Sequence, residues 1–393
     1  MDNVKEIEEN EMIFLINSMG EGGAQRVLLS LIEVYVDEGI DVTLISLAKN
    51  DFYELPTQVK KVYLRQKSKE SSFIFETLLI PYYSWKLKKY VEKHKLKRVQ
   101  SHLFRANFVN LISRFFASKH IIQVVNHTVV SRFWREGISG RINLFLIRTL
   151  YPKTDKLIYI SKRMKEDFLS HVKDIGKKSH IIYNPYDISR ILSESSNDCN
   201  NFTFDSSKKY LITVGRLVPL KKFENVLKVL SDLDNTIEVI MLGDGECRIA
   251  LEDLAKELGI ISRVHFLGQV KNPFAYISRA DLFISSSSVE GFPNVLVEAM
   301  ICHTAIISTD CISGPREILA PSTNYSYQLK EGLELAEFGI LYAVGELEAL
   351  KNAINILLKD KSLKVNYEMK AFEHSKTLSS LNISALYKEA YFK

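Results

Sequence analysis

A chain of 393 residues has room for two domains of ordinary size, and 46% hydrophobic with 25% charged residues is the composition of a soluble globular protein. No stretch approaches the ~20 uncharged apolar residues of a membrane span, and the four cysteines (Cys199, Cys247, Cys302, Cys311) have neither metal-ligand nor disulfide-framework spacing. The net charge of +5 is uneven: residues 1–190 hold 31 Lys+Arg against 21 Asp+Glu and the remainder 21 against 26, so the first half suits an anionic partner.

The opening, MDNVKEIEENE, is acidic, the opposite of a signal peptide, and a reducing cytoplasm is the expected compartment. Residues 12–17 (MIFLIN) read as a buried strand and 24–38 as a helix. Between them Gly20, Gly22 and Gly23 permit close backbone approach at the turn. These glycines do not fit G-x-G-x-x-G, and no acid ends the second strand, 42–47, which speaks against a dinucleotide fingerprint.

Residues 73–98 are aromatic and apolar first, then basic: in the span 85–98, Lys86, Lys88, Lys89, Lys93, Lys95, Lys97 and Arg98 face only Glu92. Two readings fit. One is a solvated helix face; the other is a contact with a membrane surface or a lipid diphosphate, made by Lys86 and Lys89 beside Tyr82, Tyr83 and Trp85. Residues 101–110 follow a short strand and start a helix near Ala106, where His102 and Arg105 suit either an acceptor contact or a hydrogen-bonded helix start. Residues 121–125 form a strong strand ending in Asn126-His127-Thr128, and the C-terminal end of a strand in an open α/β sheet is where ligands bind. Strands at 156–160 and 181–183 follow, with Ser161 as the N-cap of a helix over 162–169. The polar, aperiodic run 193–209 reads as a linker.

The second half opens with a strand at 210–214, then Gly215-Arg216-Leu217-Val218-Pro219-Leu220-Lys221-Lys222-Phe223, which sets basic residues at a strand end. A strand at 237–242 enters the turn Gly243-Asp244-Gly245-Glu246, and 264–268 is the next strand. Asp232-Leu233-Asp234 spells a metal-binding D-x-D, but it falls where a polar turn is expected and is set aside. The most informative stretch is 281–300: a short buried strand, Ser285–Ser288, the turn Glu290-Gly291-Phe292-Pro293-Asn294, and a helix. Pro293 is well placed at or near the first helical position. Such a corner offers main-chain N–H groups and the positive end of a helix dipole to a phosphate. Glu290 and Glu298 cannot bind phosphate and should face hydroxyls, so together the corner suits a sugar nucleotide. A strand at 305–308, the Gly314-Pro315 turn, an irregular run at 321–338, a strand at 339–342 and helices at 346–358 and 378–391 complete the chain.

The frame EGFPNVLVEAM resembles the E-x(7)-E signature of the retaining family-four (group-one) glycosyltransferases. SMGEGGAQRV resembles their glycine-rich loop, with Gln25 where glutamate is usual, and GRLVPLKKF resembles their G-R-L…K-G-F element, with Lys222 where glycine is usual. The resemblance covers nearly the whole chain. It implies the α/β GT-B fold: two Rossmann-like domains facing across a cleft, residues 1–186 for the acceptor and 210–376 for the nucleotide sugar, a linker at 187–209, and a terminal helix, 377–393, packing back on the first domain.

The resemblance further implies retaining transfer of a hexose or N-acetylhexosamine from a nucleoside-diphosphate sugar, UDP on family grounds, to a hydroxyl of a glycan acceptor. The expected acceptor is polyprenyl-diphosphate-linked, in surface polysaccharide or glycoconjugate synthesis, on a cytoplasmic protein in peripheral contact with the anionic inner face of the membrane. Neither cofactor nor catalytic metal is implied. His127, Arg216, Lys221 and Glu290 would be catalytic: Arg216 and Lys221 (or its neighbour Lys222) on the diphosphate, Glu290 and His127 on the donor sugar. Gly22, Gly23, Gly243, Gly245, Phe292, Pro293, Asn294, Val295 and Glu298 would bind the nucleotide sugar, Glu298 through its ribose. Two rivals are a sugar-nucleotide epimerase of similar fold and a non-catalytic nucleotide-sugar-binding partner; the latter has no need of all five of His127, Arg216, Lys221, Glu290 and Glu298. A glycoside hydrolase would set its two acids on facing walls, and no nucleic-acid-binding module is present.

Overall fold

The computed structural model describes residues 10–20, 22–66, 73–172, 178–199 and 201–393; most of the acidic opening and Glu21 of the glycine-rich loop lie outside these. The chain divides into two units, Met1–Tyr186 with Ser380–Lys393, and Asp187–Ser379.

The first unit is built on β1 (Glu11–Ile16), β2 (Asp41–Ala48), β3 (Lys60–Arg65), β4 (Arg98–His102), β5 (Ile121–Asn126), β6 (Lys156–Tyr159) and β7 (Ser179–Ile181). They pair in the order β3-β2-β1-β4-β5-β6-β7, all parallel. A parallel sheet is covered on both faces, which is why β1 is buried from Met12 to Ile16 without alternation. Strand order reverses between β1 and β4, so the loops leaving their C-terminal ends frame the ligand crevice of a doubly wound sheet.

The last helix, Ser380–Phe392, belongs to this unit. Tyr35 Oη donates to Ser384 O (2.9 Å), Ile13 N to Tyr391 Oη (2.9 Å) and Gln123 Nε2 to Tyr391 O (2.8 Å). The aromatic and basic stretch forms two helices, Phe73–Leu78 and Ile80–His94; Pro81 sits in the first turn of the second, which ends at Lys95 in left-handed backbone. Ser161 caps its helix as expected, accepting from Met164 N.

The second unit repeats the plan with β8 (Lys209–Val214), β9 (Ile237–Leu242), β10 (Val264–Gly268), β11 (Leu282–Ser285), β12 (Ala305–Thr309), β13 (Leu333–Leu335) and β14 (Ile340–Tyr342). Their order is β10-β9-β8-β11-β12-β14-β13, reversing between β8 and β11, and only β13 and β14 are antiparallel. Leu211, Leu227, Val239, Leu282, Ile307, Leu350 and Ile354 lie in its core.

Residues 187–209 are not a bare linker. Asp187 caps a helix, Ile188–Ser195, by accepting from Arg190 N (2.9 Å), and Asn272 Nδ2 and Ser278 Oγ donate to the carbonyls of Glu194 and Ser195. The polar composition concealed this short helix, whose one buried residue is Ile191. A helix at Lys361–Ser375 was also hidden, because it lacks an apolar stripe and buries only Tyr367, Ala371 and Ser375. The terminal helix accordingly begins at Ser380, later than the 377 read from the sequence.

Candidate functional site

In the second unit the charged candidates stand on the two loops at the reversal of strand order: Arg216 and Lys221 after β8, Glu290 after β11. The serine run holds the first of these loops. Ser288 donates to Leu220 O from both N (2.8 Å) and Oγ (3.1 Å), and Ser286 Oγ donates to Lys221 O (2.7 Å). Lys221 Nζ thereby comes within 2.5 Å of Glu290 Oε1, with both side chains largely covered. Arg216 is exposed and has no carboxylate partner among the described residues.

Lys222 is directed elsewhere, 3.4 Å from Glu224 Oε1. Its backbone is left-handed (φ 52°), the conformation for which glycine is favoured. The two adjacent lysines are therefore not equivalent, and it is Lys221 that stands beside Glu290.

Gly243 and Gly245 have a packing reason. A Cβ on either would collide with the main chain of Gly215 or Leu217. Leu217 N donates to Asp244 O and Cys247 N to Leu217 O, both at 2.9 Å, so this turn braces the Arg216 loop from behind.

The Glu290 loop is braced by residues 310–316. Val289 bridges to Ile312, Ser313 Oγ donates to Gly291 O (2.6 Å), and Gly314 (φ 92°) lies against Pro293 where a side chain would not fit. Buried Arg316 forks onto Asp310 Oδ2 (2.7 Å) and Glu334 Oε2 (2.8 Å), and Leu329 N donates to Asp310 Oδ2 (2.7 Å). A buried guanidinium is tolerated only when its charge and donors are answered in this way. Sequence reasoning missed this network, since nothing in the spacing of 310, 316 and 334 announces it. Pro293 is the N-cap of the helix Asn294–Ile301, with Phe292 before it and Glu298 within it nearly covered.

The D-x-D is structural. Asp234 accepts from Thr236 N (2.8 Å) and Oγ1 (2.6 Å), and Asp232 pairs with Lys351 (3.3 Å), both ahead of the N-terminal end of β9 and away from the reversal loops. Among the described residues no three His, Cys, Asp or Glu side chains converge as a metal-ligand set.

In the first unit Gly22 and Gly23 start the helix after β1, with Gly22 O accepting from Arg26 N (3.1 Å). His102 corrects one expectation: with no exposed surface it cannot touch an acceptor. It lies inside a chain of hydrogen bonds instead. Gln123 Nε2 donates to Tyr391 O (2.8 Å) and Ala390 O (3.3 Å), which leaves its Oε1 to accept from Gln100 Nε2 (3.1 Å). Gln100 Oε1 then accepts from His102 Nε2 (3.2 Å), and His102 Nδ1 accepts from His127 Nε2 (3.1 Å). The direction of this chain sets the tautomer: His127 carries its proton on Nε2 and presents Nδ1 as an acceptor. Burial pushes His127 down to about 4, and burial followed by the charge of His127 holds His102 well below the ordinary histidine value, so both rings are neutral near pH 7. His127 remains partly exposed.

The basic stretch divides into engaged and exposed lysines. Lys86 Nζ donates to Leu64 O (2.6 Å) and Lys88 pairs with Glu92 (2.8 Å), so neither is an uncommitted cation. Lys89 is exposed, its Nζ 3.8 Å from the centre of the Trp85 ring. Arg105 lies 3.9 Å from buried Glu76.

Two doubly wound sheets, the second with its charged candidates on the two loops at its reversal, define the class as a GT-B protein. Residues 21–190 match the model of Glycosyltransferase Family 4 and residues 195–374 that of Glycosyl transferases group 1. The chain belongs to the family-four, group-one glycosyltransferases. It is 28% identical over 370 residues (94% of this chain and 96% of the relative) to the N-acetylgalactosamine-N,N'-diacetylbacillosaminyl-diphospho-undecaprenol 4-alpha-N-acetylgalactosaminyltransferase of Campylobacter jejuni. In fold it is similar to Anabaena HepE in complex with UDP (TM-score 0.74, 19% identity, 96% of this chain and 98% of that one). It is likewise similar to the sucrose-phosphate synthase of Thermosynechococcus elongatus (TM-score 0.81, 17% identity, 97% and 98%).

Proposed function

We propose that the protein transfers a hexose or N-acetylhexosamine from a UDP-sugar, with retention at the anomeric carbon, to a hydroxyl of a polyprenyl-diphosphate-linked glycan. The observation that carries this reading is the Lys221–Glu290 corner, with exposed Arg216 and the start of the helix Asn294–Ile301 on the same pair of reversal loops. As the bond to the anomeric carbon breaks, negative charge builds on the leaving diphosphate. Arg216, Lys221 and main-chain N–H groups around Phe292–Asn294 answer it, with no metal required. A bound diphosphate takes over the Lys221 ammonium and releases Glu290 to accept from a sugar hydroxyl. Glu298 accepts from the ribose. Neutral His127 accepts a hydrogen bond from a sugar hydroxyl at Nδ1 and brings no positive charge of its own.

Support for the acceptor comes from the C. jejuni relative, whose name specifies a diphospho-undecaprenol-linked substrate. Support for the nucleotide comes from HepE, which binds UDP. The test is thermal stabilisation by UDP-, GDP- and ADP-sugars, with and without magnesium, followed by transfer to an undecaprenyl-diphosphate-linked sugar. Stabilisation by a UDP-sugar, indifferent to magnesium, is expected. Stabilisation confined to magnesium, or release of an epimerised UDP-sugar without acceptor, overturns the reading.

A further inference from the structure

We infer that the helix Ser380–Phe392 decides which nitrogen of His127 carries the proton, with Gln123 and Gln100 as the positioning residues between them. Gln100 and His102 share one face of β4; Gln123 and Val125 share the same face of β5, with His127 next in the alternation. The register sets Gln100 beside Gln123 and His102 beside Val125. One side of a buried parallel sheet thus carries a polar row, in which Gln100, His102 and Gln123 are almost fully covered. Groups so placed are kept inside only when their hydrogen bonds are made.

Inside the row, two directions bond equally well. An amide offers a donor on one side and an acceptor on the other, and so does a neutral imidazole. Turning over both amides and moving the proton on both rings would leave every contact within the row intact, and His127 would then offer Nδ1–H to the crevice. The choice is made at the far end. Main-chain carbonyls only accept, so Gln123 turns its NH2 to Tyr391 O (2.8 Å) and Ala390 O (3.3 Å). The reversed row would set Gln123 Oε1 against both of these oxygens, and a buried acceptor facing acceptors is costly.

The helix has these carbonyls to give because the last turn of a helix lacks donors of its own. That turn is also held firmly. Arg98 Nη2 donates to Phe392 O (3.1 Å), Lys156 Nζ to Ala390 O (2.7 Å), Ile13 N to Tyr391 Oη (2.9 Å) and Tyr391 Oη to Arg98 O (3.3 Å). Two cations at this end suit the negative pole of the helix. The anchor is therefore fixed to β1, β4 and β6 independently of Gln123, and it is the row that adapts. The bearing of the tautomer on sugar transfer rests on the proposed function; the tautomer itself is measurable without substrate.

The experiment is nitrogen-15 spectroscopy of histidine-labelled protein near neutral pH, with the His127 signals assigned by their loss in His127→Gln. In the wild type, Nε2–H is expected to exceed Nδ1–H on His127 by at least about tenfold, the bias that two anchoring hydrogen bonds supply. Gln123→Met keeps the length of the side chain without its amide and should bring that ratio to within about threefold of even. Tyr35→Phe removes the bond to Ser384 O on the same helix and spares the row, so it should lower the melting temperature and leave the ratio alone. An Nδ1–H tautomer of His127 in the wild type, or an unmoved ratio in folded Gln123→Met, overturns the inference. So does an equal shift in Tyr35→Phe, which would reduce the effect to general loosening. Should Gln123→Met fail to fold, Gln100→Met cuts the same row and is read by the same two outcomes. Transfer to an undecaprenyl-diphosphate-linked sugar supplies the second readout: kcat about tenfold lower in Gln123→Met, with UDP affinity within about twofold. A moved tautomer with unchanged kcat strikes the positioning role. Absence of UDP binding and of transfer in the wild type strikes the proposed function alone, and the tautomer ratios still decide whether the helix sets His127.

Discussion

The two units share one doubly wound plan and furnish the C-terminal ends of its strands in opposite ways. After β8 and β11 the second unit places charges: exposed Arg216, and Lys221 held on Glu290. After β4 and β5 the first unit places two neutral imidazoles, fed by a line of amides from Gln123 and Gln100. A doubly wound sheet supplies the location, and the residues at its strand ends decide what that location can bind. On the proposed function, unit two answers the anion and unit one, through His127, a hydroxyl; the hydrogen-bond chain behind His127 has one direction throughout.

The strongest way to break this comparison is to remove the charge from the second unit. Lys221→Ala, or Arg216→Ala, should lower kcat about 10²–10³-fold, the cost of losing one preorganised donor to a developing anion. Steady-state rates with saturating donor check this, and a change below about threefold would end the assignment of the anion site. Next in size is a pH effect in the first unit. Burial pushes His127 and His120 down to about 4, and His120 is further held by Asn110 Oδ1 (2.7 Å) and Ser118 Oγ (2.8 Å). With folded values below the unfolded one, the unfolded chain takes up protons first as pH falls. Stability is full above about pH 6.5 and is lost progressively toward pH 4, by up to about 3 kcal/mol for a group as buried as His120. Thermal melts across that window should show the fall, and His120→Gln should flatten it.

A smaller effect sharpens the comparison at the hydrogen-bond chain. His102→Ala should cost about tenfold in kcat by freeing the His127 tautomer. Nitrogen-15 shifts supply the decisive readout: the wild type should show His127 protonated on Nε2, and the variant a tautomer mixture. The smallest change separates the paired lysines. Lys222→Gly relieves left-handed backbone and should raise stability by about 0.5–1 kcal/mol while leaving UDP affinity within about twofold. A large loss of affinity there would return the diphosphate contact to Lys222.

Some of this was open to inspection in the sequence. The strands are unbroken apolar runs, the corners are marked by Gly and Pro, and the Ser161 cap and the Pro293 corner depend on a few adjacent residues; local chemistry is enough for each. The role of the serines at 285–288 was only half legible: their small polar character was plain, but their hydrogen bonds to Leu220 and Lys221 cross 65 or more positions. Gly243 and Gly245 were read as nucleotide neighbours, yet what demands them first is the main chain of residues 215–217. His102 at its strand end fits an acceptor contact or a hydrogen-bonded helix start equally well by sequence, and only its complete burial in the first unit excludes the former.

The sequence by itself determined the class of fold and the position of the charged corner, since strand periodicity, turn residues and the Glu290–Glu298 frame act over a few residues each. Tertiary structure alone decided which lysine meets Glu290, which histidine is reachable and how Arg316 is neutralised. Each of those is set by contacts between distant residues, as between Ser286 and Lys221, 65 positions apart. Burial and hydrogen-bond direction are properties of packed neighbours, and a sequence names the neighbours only after the chain has folded.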